Sequence, residues 1–244
     1  MENTAYVALS RQTALNRQMQ VTANNIANMT TAGFKSQGVL FNEYLVDTPQ
    51  RGETLSMVSD TATFRRIEQG PLQQTSNPLD LALEGAGYFI VETAEGDAYS
   101  RAGNFSLNNE GEIVTQGGRR VLSEDGAPVV IPEGDTQIGI TRDGIVTTQE
   151  SGIIGTIGVV RFENEQELTA AGDGLYYNPE GQAPLPAEGT KIVQFMLEGS
   201  NVQPVLEMNR MIEITRSYQA TQRLLQNDHE RQRNLIGRLT QNSG

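Results

Sequence analysis

Apolar residues recur at the three-to-four spacing of an amphipathic helix in two long stretches, one at each end of the chain. Residues 1–30, which contain neither Gly nor Pro, predict a first helix, and residues 203–240 predict a second that opens after Pro204. The first stripe consists of Ala5, Ala8, Leu15, Met19, Ile26 and Met29. The second stripe consists of Met208, Met211, Tyr218, Leu225, Ile236 and Leu239. Its spacing resembles that of a coiled-coil heptad.

Between these stretches the pattern changes to short apolar runs separated by turn signals. Leu79, Leu81 and Leu83 alternate with other residues and predict a half-buried strand, and residues 88–93 predict another. Turn signals such as Asp125-Gly126 then recur at short intervals, which favours an antiparallel β domain over a βαβ fold. Residues 36–75 show neither period clearly and are interpreted as an extended arm or an irregular connector.

The predicted fold class is therefore α+β, with N- and C-terminal helices that pair in a coiled-coil-like layer and an inserted antiparallel β-rich domain. Both stripes are narrow and interrupted by polar residues, so they form a poor core by themselves. Because an isolated helix is marginal in water, the ends either pair with other subunits or form an ordinary intramolecular hairpin on the sheet. The four predicted segments are 1–35 (N-terminal helix), 36–75 (arm or connector), 76–200 (β-rich domain) and 201–244 (C-terminal helix).

Charge is distributed unevenly along the 244 residues, whose net charge is −12. Residues 1–35 and 205–244 each carry +2, which leaves −16 for the middle of the chain. Such an acidic middle disfavours nucleic acid and anionic lipid as partners. The first 20 residues lack the apolar run of a signal peptide, and no stretch is apolar enough for a membrane span. We therefore expect no direct membrane insertion, and either a cytosolic location or export without a cleavable signal peptide.

Residues suited to catalysis are scarce. The chain has no Cys, and its single His229 lies between Asp228 and Glu230, where a surface position is expected. The glycines of residues 152–158 are not followed by Lys-Ser/Thr or by a helix, as a phosphate-binding loop requires. The sequence thus predicts no enzyme, no cofactor and no metal site. A sugar-binding or hydrolytic β protein stays open as an alternative, because the separation of paired carboxylates is spatial.

Three blocks of sequence carry a resemblance to a known family. Residues 23–35 read ANNIANMTTAGFK, residues 77–89 read NPLDLALEGAGYF and continue in YSRAGNF at 99–105, and residues 197–208 read LEGSNVQPVLEM. These blocks closely resemble the signatures of the flagellar rod and hook proteins, in the same order along the chain. The resemblance covers essentially the whole sequence.

The resemblance implies a structural subunit of the flagellar basal-body rod, the drive shaft that spans the periplasm and transmits torque from motor to hook. In this family the terminal helices line the inner tube and the β domain faces outward. The implied partners are copies of the chain itself, inner rod subunits, the distal rod protein and, during secretion, the flagellar type III export apparatus. The opening residues 1–12 and the length resemble the proximal rod member most, with the distal rod member as the alternative.

The resemblance and the apolar stripes together predict a set of residues at subunit interfaces. Three Asn near the end of the first helix are expected to fix register, since a packed Asn demands a specific partner. Gly33 is expected to adopt a left-handed φ where the chain leaves the helix, and Phe34 to anchor that exit. The set is Ala5, Ala8, Leu15, Met19, Asn24, Asn25, Ile26, Asn28, Met29, Gly33, Phe34, Met208, Met211, Tyr218, Leu225, Ile236 and Leu239.

Overall fold

The computed structural model describes residues 2–47, 54–135 and 137–241, which divide into two compact units. The first, here the helix–hairpin unit, takes residues 2–27, 37–47, 54–65 and 203–241. The second, here the β unit, takes residues 28–36, 66–135 and 137–202. The chain therefore passes from one unit to the other four times.

The helix–hairpin unit consists of two helices and one pair of strands. Helix α1 runs from Glu2 to Ala27, and α2 runs from Pro204 to Gln241, so the two predicted terminal helices are confirmed. Pro204 stands in the first turn of α2, where its missing N–H costs no helical hydrogen bond. Within the unit, α1 contacts α2 and both strands.

The strands of this unit lie in the segment interpreted as an arm or connector. Strands β1 (Gln37–Asp47) and β2 (Thr54–Arg65) pair antiparallel. Their register shifts between Leu40 and Phe41, so the hydrophobic alternation of an ideal strand is broken there. A period of two is therefore not visible in the sequence, although the segment is a paired ribbon.

The β unit contains the remaining strands and one short 3₁₀ helix at Glu165–Glu167. Its strands are β3 (Leu72–Gln74), β4 (Leu81–Glu84), β5 (Tyr88–Thr93), β6 (Gly96–Ser100), β7 (Ser106–Leu107), β8 (Ile113–Val114), β9 (Ile138–Ile140), β10 (Ile145–Thr148), β11 (Gly152–Thr156), β12 (Val159–Arg161), β13 (Thr169–Gly172), β14 (Leu175–Tyr177), β15 (Leu185–Pro186), β16 (Lys191–Gln194) and β17 (Met196–Glu198). All the pairings between them are antiparallel, as predicted.

The largest sheet has six strands in the order β13-β14-β6-β5-β12-β15. A three-stranded sheet follows the order β11-β10-β9, and three further ladders are β16-β4, β17-β3 and β7-β8. Strands β16 and β17 follow each other closely, but they pair with different strands, β4 and β3 respectively. The change of partner occurs at Phe195, whose φ of 61° bends the backbone there. The last two strands of the β unit thus pair with its first two.

Three clusters of buried apolar residues fill the β unit. Phe89 and Phe105 are fully buried and meet edge to face with ring centroids 5.1 Å apart. Leu81, Ala82 and Leu83 are all completely buried, so the half-exposed strand predicted for this stretch is wrong. The reason is that β4 is covered on both faces, so Ala82, which alternates with the two leucines, is buried with them. The main core consists of Leu79, Leu81, Leu83, Phe89, Phe105, Ile113, Val121, Val129, Ile131, Ile140, Val146, Ile157 and Ile192.

Candidate assembly surfaces and a buried ion cluster

Helix α1 buries mainly small and polar side chains, and of the predicted apolar stripe it buries Ala8. Its buried residues include Ala14, Val21 and Asn25, with Gln18 half-buried between them. These positions follow a 4–3 spacing, but they lie beside the predicted stripe, whose Leu15 and Met19 are only half-buried. The larger apolar side chains of α1 are therefore incompletely covered within one chain.

Helix α2 shows the same pattern on its described residues. Glu207, Ile214 and Thr221 are buried at intervals of seven, and the predicted Met211 and Tyr218 are half-buried between them. Only one of the three buried positions is a large apolar residue. The seam of α2 thus has heptad spacing but little apolar surface.

Large apolar side chains instead point to solvent on both helices. On α2 the exposed fraction is 71% for Val205 and 50% for Ile212, and on α1 it is 59% for Tyr6. Such residues gain about 1.5–3 kcal/mol each when buried, so their exposure leaves apolar surface available for contact. Among the helix residues whose side chains the structure describes, the exposed large apolar ones are Tyr6, Leu9, Val205, Leu206, Met208, Ile212 and Leu224.

The predicted interface residues differ in how far they are buried: some are buried, some half-buried and some exposed. Ala8, Asn25 and Gly33 are buried, and Asn24, Met29 and Met208 are exposed. The half-buried ones are Leu15, Met19, Ile26, Asn28, Phe34, Met211, Tyr218 and Leu225. Ala5, Ile236 and Leu239 fall among residues whose side chains lie outside those described.

Asn25 has the specific partners expected of a packed Asn, and all of them belong to its own chain. Its amide nitrogen donates to the Gln37 carbonyl at 2.9 Å, and its carbonyl oxygen accepts from the Gln37 N–H at 2.9 Å. The same amide nitrogen lies 3.4 Å from a carboxylate oxygen of Glu207. Asn25 therefore ties the end of α1 to the first residue of β1 and to the first turn of α2.

Gly33 has the predicted left-handed backbone, with a φ of 68°, but it does not end the helix. Helix α1 stops at Ala27, and Gly33 belongs to the β unit. A Cβ at Gly33 would lie 2.5 Å from the backbone of Arg101 and of Ala102. Glycine is required here because two chain segments approach closely, in addition to the φ that it permits.

A buried ion cluster lies next to this contact, within the β unit. The Glu198 carboxylate accepts from Lys35 Nζ at 2.6 Å through one oxygen and from Arg101 Nε at 2.6 Å through the other. The Gly70 N–H donates to the first oxygen at 3.0 Å. The three charged side chains are each no more than 5% exposed. We call Lys35, Arg101 and Glu198 the Glu198 cluster.

Backbone carbonyls satisfy the remaining donors of the two cations. The Arg101 guanidinium donates to the carbonyls of Gly85 and Gly87, each at 2.5 Å. Lys35 Nζ donates to the Glu68 carbonyl at 2.9 Å. Buried charges are tolerated only when paired and hydrogen-bonded in this way. The cluster nevertheless contains two cations for one carboxylate.

Burial lowers the pKa of Lys35. Loss of hydration lowers the pKa of its ammonium group from the ordinary value of 10.5, and the charge of Arg101 lowers it further. The hydrogen bond and the charge of Glu198 act in the opposite direction. Desolvation is the larger effect, so the carboxylate only partly compensates the burial of this lysine.

Asn201 joins the same segments through a second set of bonds. Its side chain accepts from the Ser36 N–H at 2.7 Å and donates to the carbonyls of Arg66 and Glu68, each at 2.9 Å. Gly33 donates its N–H to the Glu198 carbonyl at 2.8 Å. Residues 33–36, 66–70 and 198–201 are thereby fastened to one another.

Sequence reasoning missed this cluster, although each member lies in one of the family-like blocks. Lys35 is the only charged residue between Arg17 and Glu43. Arg101 and Glu198 are likewise isolated in uncharged stretches, residues 98–109 and 192–206. A lone charge inside an otherwise uncharged motif points to a buried partner of opposite sign, and this signal could have found the cluster.

Arrangements suited to catalysis are not found in the described part of the chain. His229 is exposed on α2, as expected of a surface position. Among the described residues, no three His, Asp or Glu side chains gather to hold a metal ion. None of the described helices combines the length and apolar character that crossing a bilayer requires.

Comparison with known proteins identifies the family to which the chain belongs. Three family models match the chain: a flagella basal body rod protein model over residues 6–35, a flagellar hook protein FlgE/F/G D1 domain model over 82–148, and a flagellar basal body rod FlgEFG protein C-terminal model over 193–238. The chain is 38% identical over 242 residues to the flagellar basal-body rod protein FlgF of Caulobacter vibrioides, with 98% of each chain covered. The chain belongs to the family of flagellar basal-body rod proteins.

Further rod proteins are similar over most of their length. FlgF of Mesorhizobium japonicum is 33% identical with 92% of each chain covered. FlgG of Caulobacter vibrioides is 34% identical, with 89% of this chain and 92% of the relative covered. The chain is thus a structural protein of the flagellar basal body that assembles with other rod proteins, and it is not an enzyme.

Proposed function

We propose that the chain is a subunit of the proximal rod, of the FlgF type. The observation that carries this is the comparison within one organism. Identity to the Caulobacter vibrioides FlgF is 38% over 98% of the chain, against 34% over 89% for FlgG of the same bacterium. As its family resemblance implies, the chain is exported through the flagellar type III apparatus, and the rod spans the periplasm.

Subunits join through the terminal helices, which pair with each other in a coiled-coil-like layer and with neighbouring copies. The 4–3 spacing of buried and half-buried positions from Glu207 to Leu225 supports the pairing. The exposed Val205, Met208 and Ile212 support contacts with neighbours, since these residues are 47–71% exposed. The members of the interface set that lie on α1 and α2 belong to this layer, and Asn28, Met29, Gly33 and Phe34 extend the interface beyond the end of α1.

The interface is tested with Ile212→Asp in the full-length chain. Because Ile212 is 50% exposed, the isolated chain tolerates the new charge, whereas a buried contact between subunits does not. We expect normal circular dichroism of the purified variant but loss of swimming and of rods in isolated basal bodies. Asn209→Asp, at another exposed position of α2, is the control and should swim normally.

Two outcomes contradict this proposal. Wild-type rod assembly by Ile212→Asp would show that this face of α2 meets no neighbour. Labelling of the chain in the distal part of isolated rods would assign it to the distal subunit.

A further inference from the structure

Three segments of the β unit that adjoin the helix–hairpin unit in sequence meet at one carboxylate. Residues 28–36 follow α1, residues 66–70 follow β2, and residues 198–202 precede α2. Glu198 contacts the first two through Lys35 and the Gly70 N–H, and it belongs to the third. The side chain that links these exits is 1% exposed, so it is not itself available to a neighbouring subunit.

We propose that Glu198 is a positioning residue for assembly: it holds the segments that follow α1, follow β2 and precede α2 in one arrangement, and the rod requires that arrangement. This inference rests on the function proposed above. It assigns the role to a residue that touches no neighbour, in contrast to the exposed apolar residues of the helices.

The charge balance of the cluster determines how each variant should behave. Removal of Glu198 leaves Lys35 and Arg101 buried without the carboxylate that pairs with both, which is strongly unfavourable. Removal of Lys35 leaves Arg101 and Glu198 as a matched pair and relieves the desolvation of an ammonium group. The two substitutions are therefore expected to differ greatly, although both delete one side of the same 2.6 Å contact.

The close approach of the backbones explains why the arrangement is all or none. A Cβ at Gly70 would lie 1.9 Å from the Gly199 carbonyl oxygen, and one at Gly33 would meet Arg101 at 2.5 Å. Segments packed this tightly do not shift gradually, so loss of the central ion pairs opens the contact as a unit.

The first experiment is hydrogen exchange on the purified full-length chain carrying Glu198→Gln. We expect the amides of Gly33, Ser36 and Gly70 to exchange at least about tenfold faster, while those of β9 and β10 change less than about twofold. The same variant, expressed in cells that lack the wild-type chain, should form few or no rods. Glu92→Gln is the matched control, since it breaks a 2.7 Å pair with Arg120 at a half-exposed site.

Lys35→Met provides a second variant in case Glu198→Gln does not fold. It should retain its melting temperature within about 2 °C, because a neutral pair remains, yet lose exchange protection around residues 33–36 and form fewer rods. In the double variant Lys35→Met/Glu198→Gln, one unpaired cation remains in place of two. The double variant should therefore be less impaired than Glu198→Gln alone, a reversal that simple loss of packing does not produce.

Unchanged exchange at Gly33, Ser36 and Gly70 in folded variants would overturn the proposal, as would opened segments with a normal number of rods. Additive damage in the double variant would also overturn it. If labelled wild-type chain is absent from isolated rods, the proposed function fails instead. The exchange measurements alone would then show whether Glu198 fixes the three segments.

Discussion

The two units of this chain differ in the kind of side chain that they bury. The β unit buries large apolar residues such as Phe89, Leu81 and Ile113 completely. The helix–hairpin unit buries Ala, Val, Thr and Asn along α1 and exposes large apolar residues on both helices. Burial of a large side chain contributes about 1.5–3 kcal/mol, so the β unit gains more from its core than the helices gain from the small and polar residues that they bury.

Charge separates the units as clearly as apolar surface does. Residues 28–36 and 66–202 hold 21 acidic and 8 basic residues, a net charge of −13. The rest of the chain has 9 acidic and 10 basic residues, a net charge of +1. Electrostatic repulsion between copies therefore arises from the β unit, while the nearly neutral helix–hairpin unit permits close contact.

Among the substitutions that test this difference between the units, Phe89→Ala should lower the free energy of unfolding most. The side chain is fully buried against Phe105, so its removal leaves a cavity and should lower the free energy of unfolding by about 3–5 kcal/mol. Urea unfolding of the full-length chain measures the change. Phe195→Ala, at a 42% exposed phenylalanine of the same unit, should cost much less. Equal losses would show that the β core does not supply the stability attributed to it.

Asn25→Ala should have an intermediate effect, confined to the helix–hairpin unit. The substitution leaves the N–H and the carbonyl of Gln37 without their partner and should cost about 1–3 kcal/mol. Thermal unfolding followed by circular dichroism at helical wavelengths, with exchange of the Gln37 amide, measures it. The neighbouring Asn24→Ala, at an exposed position, is the control. A comparable loss in both variants would contradict the role given to Asn25.

The smallest effect is the pH dependence contributed by Lys35. Its pKa is lower in the folded chain than in the unfolded chain, so between the two values the unfolded chain binds more protons. The stability of the wild type relative to Lys35→Met should therefore rise as pH increases toward the ordinary lysine value of 10.5. Urea unfolding of both proteins from neutral to alkaline pH tests this. A relative stability that falls over that range would mean that the ion pair with Glu198 outweighs desolvation.

Most of the fold could be predicted from the sequence where the pattern is local. The terminal helices follow from their spacing, and residues 88–93 coincide with β5. The β1–β2 hairpin could not be recognised, because the register shift at Leu40 breaks its alternation. The burial of Ala82 could not be predicted, because coverage of both faces of β4 depends on strands that are distant in sequence.

The residues of the candidate site likewise divide into those that a local pattern predicts and those that it does not. Asn25 and Gly33 were selected for the local reasons of packed register and left-handed φ, and both are buried, but their contacts lie within the chain. Lys35, Arg101 and Glu198 were missed because the partners are far apart in sequence, and periodicity carries no record of such pairs. The subunit contacts themselves stay predictions, since they concern surfaces between molecules.

Lys35 and Glu198 are separated by 163 positions in the sequence. A nascent or partly delivered chain that lacks the final β strand holds two buried-site cations for which no anion has yet arrived. Its early segment therefore stays unfixed until residue 198 is present. Copies truncated before Glu198 thereby differ from complete ones in their own folding, before any neighbour is engaged.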